Sequence, residues 1–250
     1  MDYLVQAYAT GFKIEEYSTE FSDKKAIFEN MLIIEEDRGY GVIKITGTSN
    51  KKDVLETKYE EIRYLPVTTD FIVKTNGKYG IMTKEAEIKV NINYDEIKVI
   101  DNQNGLYLVK QNNSYGVINT EGQPIIDPEY KQIGIEISKY AQNGVENKYI
   151  LLNEVIPVKN QDDLWGFYNI NGEKITDFKY QNIGCDTTPV NNTYSTLVIP
   201  SHKIIVVKND KYYNLVTVKG EELIPGNIVD SVYLKIDPTT GQNKYFMTSN

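Results

Sequence analysis

The chain is poor in the residues that usually carry chemistry: one cysteine, one histidine and one tryptophan in 250 residues. A single cysteine, Cys185, excludes an intramolecular disulfide; following Gly184, it reads as a small, partly buried residue. A single histidine, His202, excludes a histidine-based metal cluster, and Ser201 beside it cannot form a triad with its own neighbour. Neither a phosphate loop nor a GxGxxG fingerprint occurs. Residues Asp101, Asn102, Gln103, Asn104 and Gly105 lack the ligand spacing and bidentate glutamate of a calcium loop, so they read as a turn. Paired carboxylates such as Glu35-Glu36, Glu60-Glu61 and Asp162-Asp163 read as solvated strand ends and turns. These absences point away from an enzyme and imply no cofactor and no metal.

Long apolar runs are also missing. Nothing approaches the ~18 consecutive residues of a membrane-spanning helix. The opening Met1-Asp2-Tyr3-Leu4 has no basic region before an apolar one, so no signal peptide is visible. The expectation is a cytoplasmic protein, or an extracellular one if the N-terminus has been trimmed. No basic tract offsets the net charge of -8, which argues against binding nucleic acid.

What is abundant is tyrosine, 20 residues of it, with many isoleucines and valines. That mix favours half-buried strands over helices. Self-comparison then finds an internal repeat. Aromatic-Gly pairs stand at Tyr40-Gly41, Tyr79-Gly80, Tyr115-Gly116 and Trp165-Gly166, with Tyr213-Asn214 as a fifth, altered copy. Six residues after the glycine position come Gly47, Ala86, Gly122, Gly172 and Gly220. Fifteen residues after the aromatic come Tyr94, Tyr130 and Tyr180, with Ile228 in the last copy and Tyr59, after 19, in the first. Three residues beyond those tyrosines stand Ile62, Ile97, Ile133 and Ile183. A short apolar run precedes each pair, as in Phe71-Ile72-Val73 and Ile204-Ile205-Val206-Val207.

The physical content of one copy is strand, tight polar turn, strand, second turn with φ > 0 at its last residue, and third strand. The predicted fold is therefore all-β: a tandem array of about five three-stranded β-units in an open, curved repeat or solenoid. The alternative is a β-propeller, whose units have four strands. A cap over residues 1–30 precedes five repeats within 31–233, at about 32–66, 67–105, 106–154, 155–203 and 204–233, and residues 234–250 form a tail or cap. A glycine inside a strand marks a bulge or a close approach. The expectation is close approach, with the aromatic of one unit over the glycine of its neighbour. Asn214 should then stand only where no further unit stacks.

Glycine positions 41, 80, 116 and 166 and position 214 are 39, 36, 50 and 48 residues apart. The excess falls in residues 134–154 and 184–203, and equivalent insertions in stacked repeats project from one face. They carry Tyr140, Tyr149 and Tyr194, a residue type suited to anchoring interfaces. Lys74, Lys110, Lys159 and Lys208 share one repeat position, with Glu35 in the first copy. Period-two alternation predicts them on an outer face, as a solubilising row or as a ridge for an acidic partner.

The segments Ser114-Tyr115-Gly116-Val117-Ile118-Asn119-Thr120-Glu121-Gly122 and Leu164-Trp165-Gly166-Phe167-Tyr168-Asn169-Ile170-Asn171-Gly172, with Lys78-Tyr79-Gly80-Ile81-Met82, resemble the WG-repeat family of bacterial proteins. The resemblance covers about residues 32–230. It departs from the family name in having Trp once, and in lacking the fifth glycine. It implies a β-rich scaffold that mediates interactions and carries no catalytic residues. The expected function is binding of another protein, such as a toxin or effector, through the insertion-bearing face, by a chain that is monomeric on its own. The alternative is a glycan or cell-wall binder that stacks sugars on Tyr40, Tyr79, Tyr115 and Trp165.

Overall fold

The computed structural model describes residues 25–26, 30–46, 50–101, 105–136, 148–149, 151–152, 154–185, 197–199 and 202–249. Most of the expected N-terminal cap, and both Tyr140 and Tyr194, lie outside the described residues. Among the described residues the defined elements are all β-strands, in small antiparallel sheets, none of which closes into a barrel. The chain forms two compact units. One is Met1–Asn112 with Ile118–Pro124, the other Asn113–Val117 with Ile125–Asn250.

In the first unit, Lys25–Ala26, Met31–Glu36, Gly39–Thr46 and Asn50–Tyr59 form one four-stranded sheet in chain order. Glu61–Leu65, Asp70–Thr75, Lys78–Met82 and Ile88–Tyr94 form the next, and Glu96–Asp101 pairs with Leu106–Gln111 beyond it. The three expected strands are present, and a fourth is added to each sheet. The segment that follows the closing tyrosine is itself a strand, so Ile62 and Ile97 open the next sheet instead of ending the last. That fourth strand removes strand count as a ground for preferring an open array over a propeller.

The apolar residues on successive sheets explain why both faces are buried. Phe71, Val73 and Met82 share a cluster with Met31, Val42, Leu55 and Tyr59 of the preceding sheet. Ile72, Ile81 and Val90, on the opposite face, share one with Ile97, Tyr107 and Val109 of the following strands. A strand buried on both faces reads as a continuous apolar run, which is what Phe71-Ile72-Val73 is. Each such side chain contributes about 1.5–3 kcal/mol of burial.

In the second unit, Gln132–Ile133, Val155–Lys159 and Trp165–Asn169 form a sheet that bridges at Tyr168–Lys174 and Trp165–Tyr180 extend along its edge. Ile204–Asn209 then pairs with Tyr212–Thr217 on one side, and with Asn182–Ile183 and Val198–Ile199 on the other. Residues 234–250, expected as a tail or cap, lie largely in a hairpin of Ser231–Ile236 with Asn243–Thr248.

The aromatic and the closing tyrosine prove to be cross-strand partners. Tyr79 faces Tyr94, Tyr40 faces Tyr59, and Trp165 bridges to Tyr180. Tyr79 pairs with Tyr94 while Ile81 pairs with Val90, so Asn91, Ile92 and Asn93 arch over the single Gly80. A Cβ on Gly80 would lie 2.6 Å from Ile92 Cγ1 and 2.7 Å from the Val90 carbonyl oxygen. The glycine thus serves a bulge within its own sheet, and the expected ring of a neighbouring unit is not what approaches it. Gly41, Gly116 and Gly166 face the same arch, built from Leu55 and Thr57, Ile126 and Pro128, and Phe178 respectively.

The last copy differs by one residue. Tyr213 pairs with Val229, not the expected Ile228, which is exposed. The longer arch admits the Asn214 side chain. Its amide donates to the Ile224 carbonyl at 3.1 Å and its oxygen accepts from the Ile224 N–H at 3.1 Å. A further hairpin does stack here, since Val232 shares a cluster with Val206, Tyr213 and Leu215. Asn214 therefore does not mark the end of stacking.

The approach between repeats belongs to the second glycine. Its turn is built identically four times. The residue four after the aromatic (Thr83, Asn119, Asn169 or Thr217) accepts two backbone N–H bonds through its side-chain oxygen, as Asn169 does from Asn171 and Glu173 at 2.9 Å each. The turn ends at positive φ: Ala86 at 67°, Gly122 at 77°, Gly172 at 85° and Gly220 at 84°. At Gly172 a Cβ would meet the Ile125 carbonyl oxygen at 2.2 Å, and at Gly220 that of Ile175 at 2.1 Å, each in the preceding repeat.

Candidate partner-binding surface

Three closing tyrosines bind their repeat to the next. The Tyr59 hydroxyl donates to Met82 Sδ at 2.9 Å, the Tyr130 and Tyr168 hydroxyls meet at 2.7 Å, and Tyr180 donates to Glu222 Oε1 at 2.7 Å. Burial, then the Glu222 carboxylate, raises the Tyr180 pKa, so this phenol stays a donor. The aromatics of the aromatic-Gly pairs are engaged as well. Trp165 is 6% exposed and Tyr213 2%, while half-buried Tyr79 packs with Ile72 and Tyr107 and donates to Glu61 at 2.8 Å. A glycan would need these ring faces open.

The lysine row has a local cause. Lys74 lies directly across from Tyr79, Lys159 from Trp165 and Lys208 from Tyr213. Each ammonium sits over that ring, 5.3, 5.4 and 4.6 Å from the centroid. Lys159 also pairs with Asp163 at 3.1 Å and Lys74 approaches Glu60 at 3.8 Å. Lys74 shares its face with Ile72, so the expected outer face is the rim of a buried one. Lys110 is half-buried. In the first copy Glu35 faces Tyr40; its charge and hydrogen bond raise the Tyr40 pKa.

The two insertions rise from one base. In the first, Ile135–Glu136 pairs with Lys148–Tyr149, and Leu152 bridges to Val155. That fixes the Tyr149 backbone opposite Ile135; the Tyr149 side chain and residues 137–147 lie outside the described residues. In the second insertion, Val198–Ile199 returns along Ile204–Asn209. Ile135, Leu152, Leu197 and Val198 all belong to one apolar cluster with Trp165, Tyr180, Ile205 and Val207. Lys203 pairs with Glu154 at 3.1 Å, closing one insertion onto the other. The Tyr245 hydroxyl donates to the Val198 carbonyl at 2.8 Å. Spacing located these insertions, but not their shared root; its signal is the apolar pairs Leu151-Leu152 and Leu197-Val198 inside otherwise polar segments.

Chemistry is sparse on this surface. Among the described residues no three His, Cys, Asp or Glu side chains gather as a metal site. Cys185 is half-buried and packs against the cluster of Val206, Tyr213, Leu215, Val229 and Val232. No described helix is long and apolar enough to cross a membrane.

Residues 79–115, 115–149 and 165–186 match the family described as WG containing repeat. No curated protein matches the chain. Among solved structures it is similar to the WD40 β-propeller domain of Doa1 at 12% identity, over 86% of this chain and 71% of that one, with a TM-score of 0.28. It is similar to a eukaryotic initiation factor at 13% identity, over 88% and 61%, with a TM-score of 0.36. PorZ, a bacterial surface component of the type-IX secretion system of Porphyromonas gingivalis, is similar at 7% identity, over 81% and 32%, with a TM-score of 0.29.

Proposed function

Residues 79–186 carry three consecutive WG containing repeats, and on that premise we propose that the chain is a non-catalytic scaffold binding another protein through insertions 134–154 and 184–203. One observation carries this reading: Ile135 and Leu152 of the first insertion share an apolar root with Leu197 and Val198 of the second. Two long loops anchored at one place make a composite surface on a rigid support, the usual arrangement for recognition. The repeat aromatics and glycines serve packing within and between sheets, which leaves the insertions as the part free to specialise.

Replacing residues 137–147 by a short Gly-Ser linker keeps Ile135, Leu152 and both hairpin strands. A second variant replaces residues 187–195 in the same way. Both are expected to melt cooperatively within a few degrees of the parent and to lose a partner that the parent captures from its native cells. The partner, once identified, is then titrated against all three purified chains. Retention of full affinity by both variants overturns the reading.

A further inference from the structure

One junction between repeats carries two phenols. Tyr168 stands three residues after Trp165, the position that Ile43, Met82, Ile118 and Val216 hold in the other copies. The closing tyrosine of the preceding copy can reach this position, as Tyr59 does with its hydroxyl 2.9 Å from Met82 Sδ. Tyr130 does the same, and the side chain it meets is another tyrosine, hydroxyl to hydroxyl at 2.7 Å. The rings are folded toward each other. Their centroids are 5.9 Å apart with the planes at 62°, much closer than two phenols meeting tip to tip. Phe178 packs against both rings, 5.6 Å from Tyr130 and 6.4 Å from Tyr168, and fixes that fold. It brings the carbons ortho to the two hydroxyls toward one another. Ile43, Ile118 and Val216 are buried at their junctions, but Tyr130 and Tyr168 are only half-buried, which leaves part of each ring open to a small solute.

We propose that Tyr130 and Tyr168 are a site of oxidative modification, at which a small one-electron oxidant joins them into a dityrosine that ties the third repeat covalently to the fourth. Each phenol gives up one electron and one proton, so one link consumes two equivalents of oxidant. The two phenoxyl radicals couple through an ortho carbon of each ring, forming one C–C bond. Each displaced ortho hydrogen then moves, through water, to the oxygen beside it, which restores both phenols. The net change is the loss of two hydrogens. The first proton has an acceptor in place, because the Glu129 carboxylate takes a hydrogen bond from the Tyr130 hydroxyl. Burial, then the Tyr168 hydroxyl and that carboxylate, push the Tyr130 pKa up, so Tyr130 meets the oxidant as an intact phenol. The rings are already neighbours, so coupling within one chain outruns coupling between chains. Tyr79 lacks this arrangement: it faces Tyr94 across a strand pair, but its hydroxyl donates to Glu61 at 2.8 Å.

The test uses the full chain at low concentration and a limiting amount of hexachloroiridate(IV), which each electron reduces to the iridium(III) complex. The monomeric product is expected to show dityrosine fluorescence and a mass lower by two hydrogens. Cleavage after lysine should yield one fragment joining residues 111–131 to 160–174, with the link at Tyr130 and Tyr168. Tyr130→Phe and Tyr168→Phe keep the rings, should melt close to the parent, and should each lose most of the fluorescence. Tyr79→Phe should keep it. The coupled chain should melt several degrees above the untreated one, because the link closes a long loop in the unfolded state. Fluorescence that survives Tyr168→Phe, or falls as far with Tyr79→Phe, overturns the proposal. So does a linked fragment found only in covalent dimers, or a coupled chain that melts no higher than the parent.

Discussion

Gly172 stands directly beneath the carbonyl oxygen of Ile125, where a Cβ would approach to 2.2 Å. The two residues belong to consecutive repeats, and the contact recurs between Gly220 and Ile175. In the first unit Gly122 meets the Val90 side chain in the same way, at 2.7 Å. The second glycine is therefore the spacer of the array. It lets the turn of one repeat touch the last strand of the one before.

Gly172→Ala should accordingly cost far more than a left-handed alanine alone. The conformation itself accounts for about 1–2 kcal/mol, and relieving the backbone clash for roughly 1–3 kcal/mol more. Gly77 has a similar φ of 74° with nothing near its would-be Cβ, so Gly77→Ala isolates the conformational part. Denaturant unfolding of the two variants should differ by at least ~1 kcal/mol. Equal losses would remove the inter-repeat contact from the explanation. Ala86, already strained at φ 67°, predicts the converse: Ala86→Gly holds or raises stability.

How much of this was legible beforehand depends on what sets the spacing. The interval from Tyr79 to Tyr94 is a cross-strand register, so it recurs and can be read without coordinates. The fourth strand, Glu61-Ile62-Arg63-Tyr64-Leu65, mixes charge with apolar residues and follows its tyrosine without a turn signal, so it hid inside the closing motif. The strand glycine was assigned the wrong neighbour because spacing shows that a Cβ is unwelcome but not what would strike it, whereas the second glycine was legible as a turn residue at positive φ but not as a contact between repeats. Tyr140 and Tyr194 stay proposals, and the lysines, legible as a row, were not legible as partners of the rings across from them.

That partnership is measurable. Lys74 and Tyr79 lie opposite each other at the rim, with the ammonium 5.3 Å from the ring; Lys208 lies 4.6 Å from Tyr213, which is 2% exposed. Double-mutant cycles with lysine to alanine and tyrosine to leucine should return about 0.5–1 kcal/mol of coupling for the first pair. The second should be larger, up to ~2 kcal/mol, because its ring is desolvated. Coupling indistinguishable from zero in both would free the lysines for an external acidic partner and revive the ridge reading.

The hairpin caps predict the response to acid. Asp163 takes a hydrogen bond from Lys131 at 2.6 Å and pairs with Lys159 at 3.1 Å, and these contacts, Lys131 first, hold its carboxyl below the usual 3.8. Asp95, bonded to Lys78 and to the Asn112 N–H, is lowered in the same direction. A carboxyl depressed in the folded state binds fewer protons there than in the unfolded chain. Its stabilisation is therefore complete well above pH 3.8 and disappears as pH falls through the folded value. Asp163 has φ 65°, which asparagine also tolerates, so Asp163→Asn removes the charge and leaves the turn intact. Thermal melts from pH 7 down to about 2.5 should show the variant less stable than the parent at neutrality and converging with it in acid. The double variant with Asp95→Asn should flatten the acid limb further. Parallel pH curves for parent and variants would show that these exposed pairs contribute nothing to folding, as many surface pairs do not.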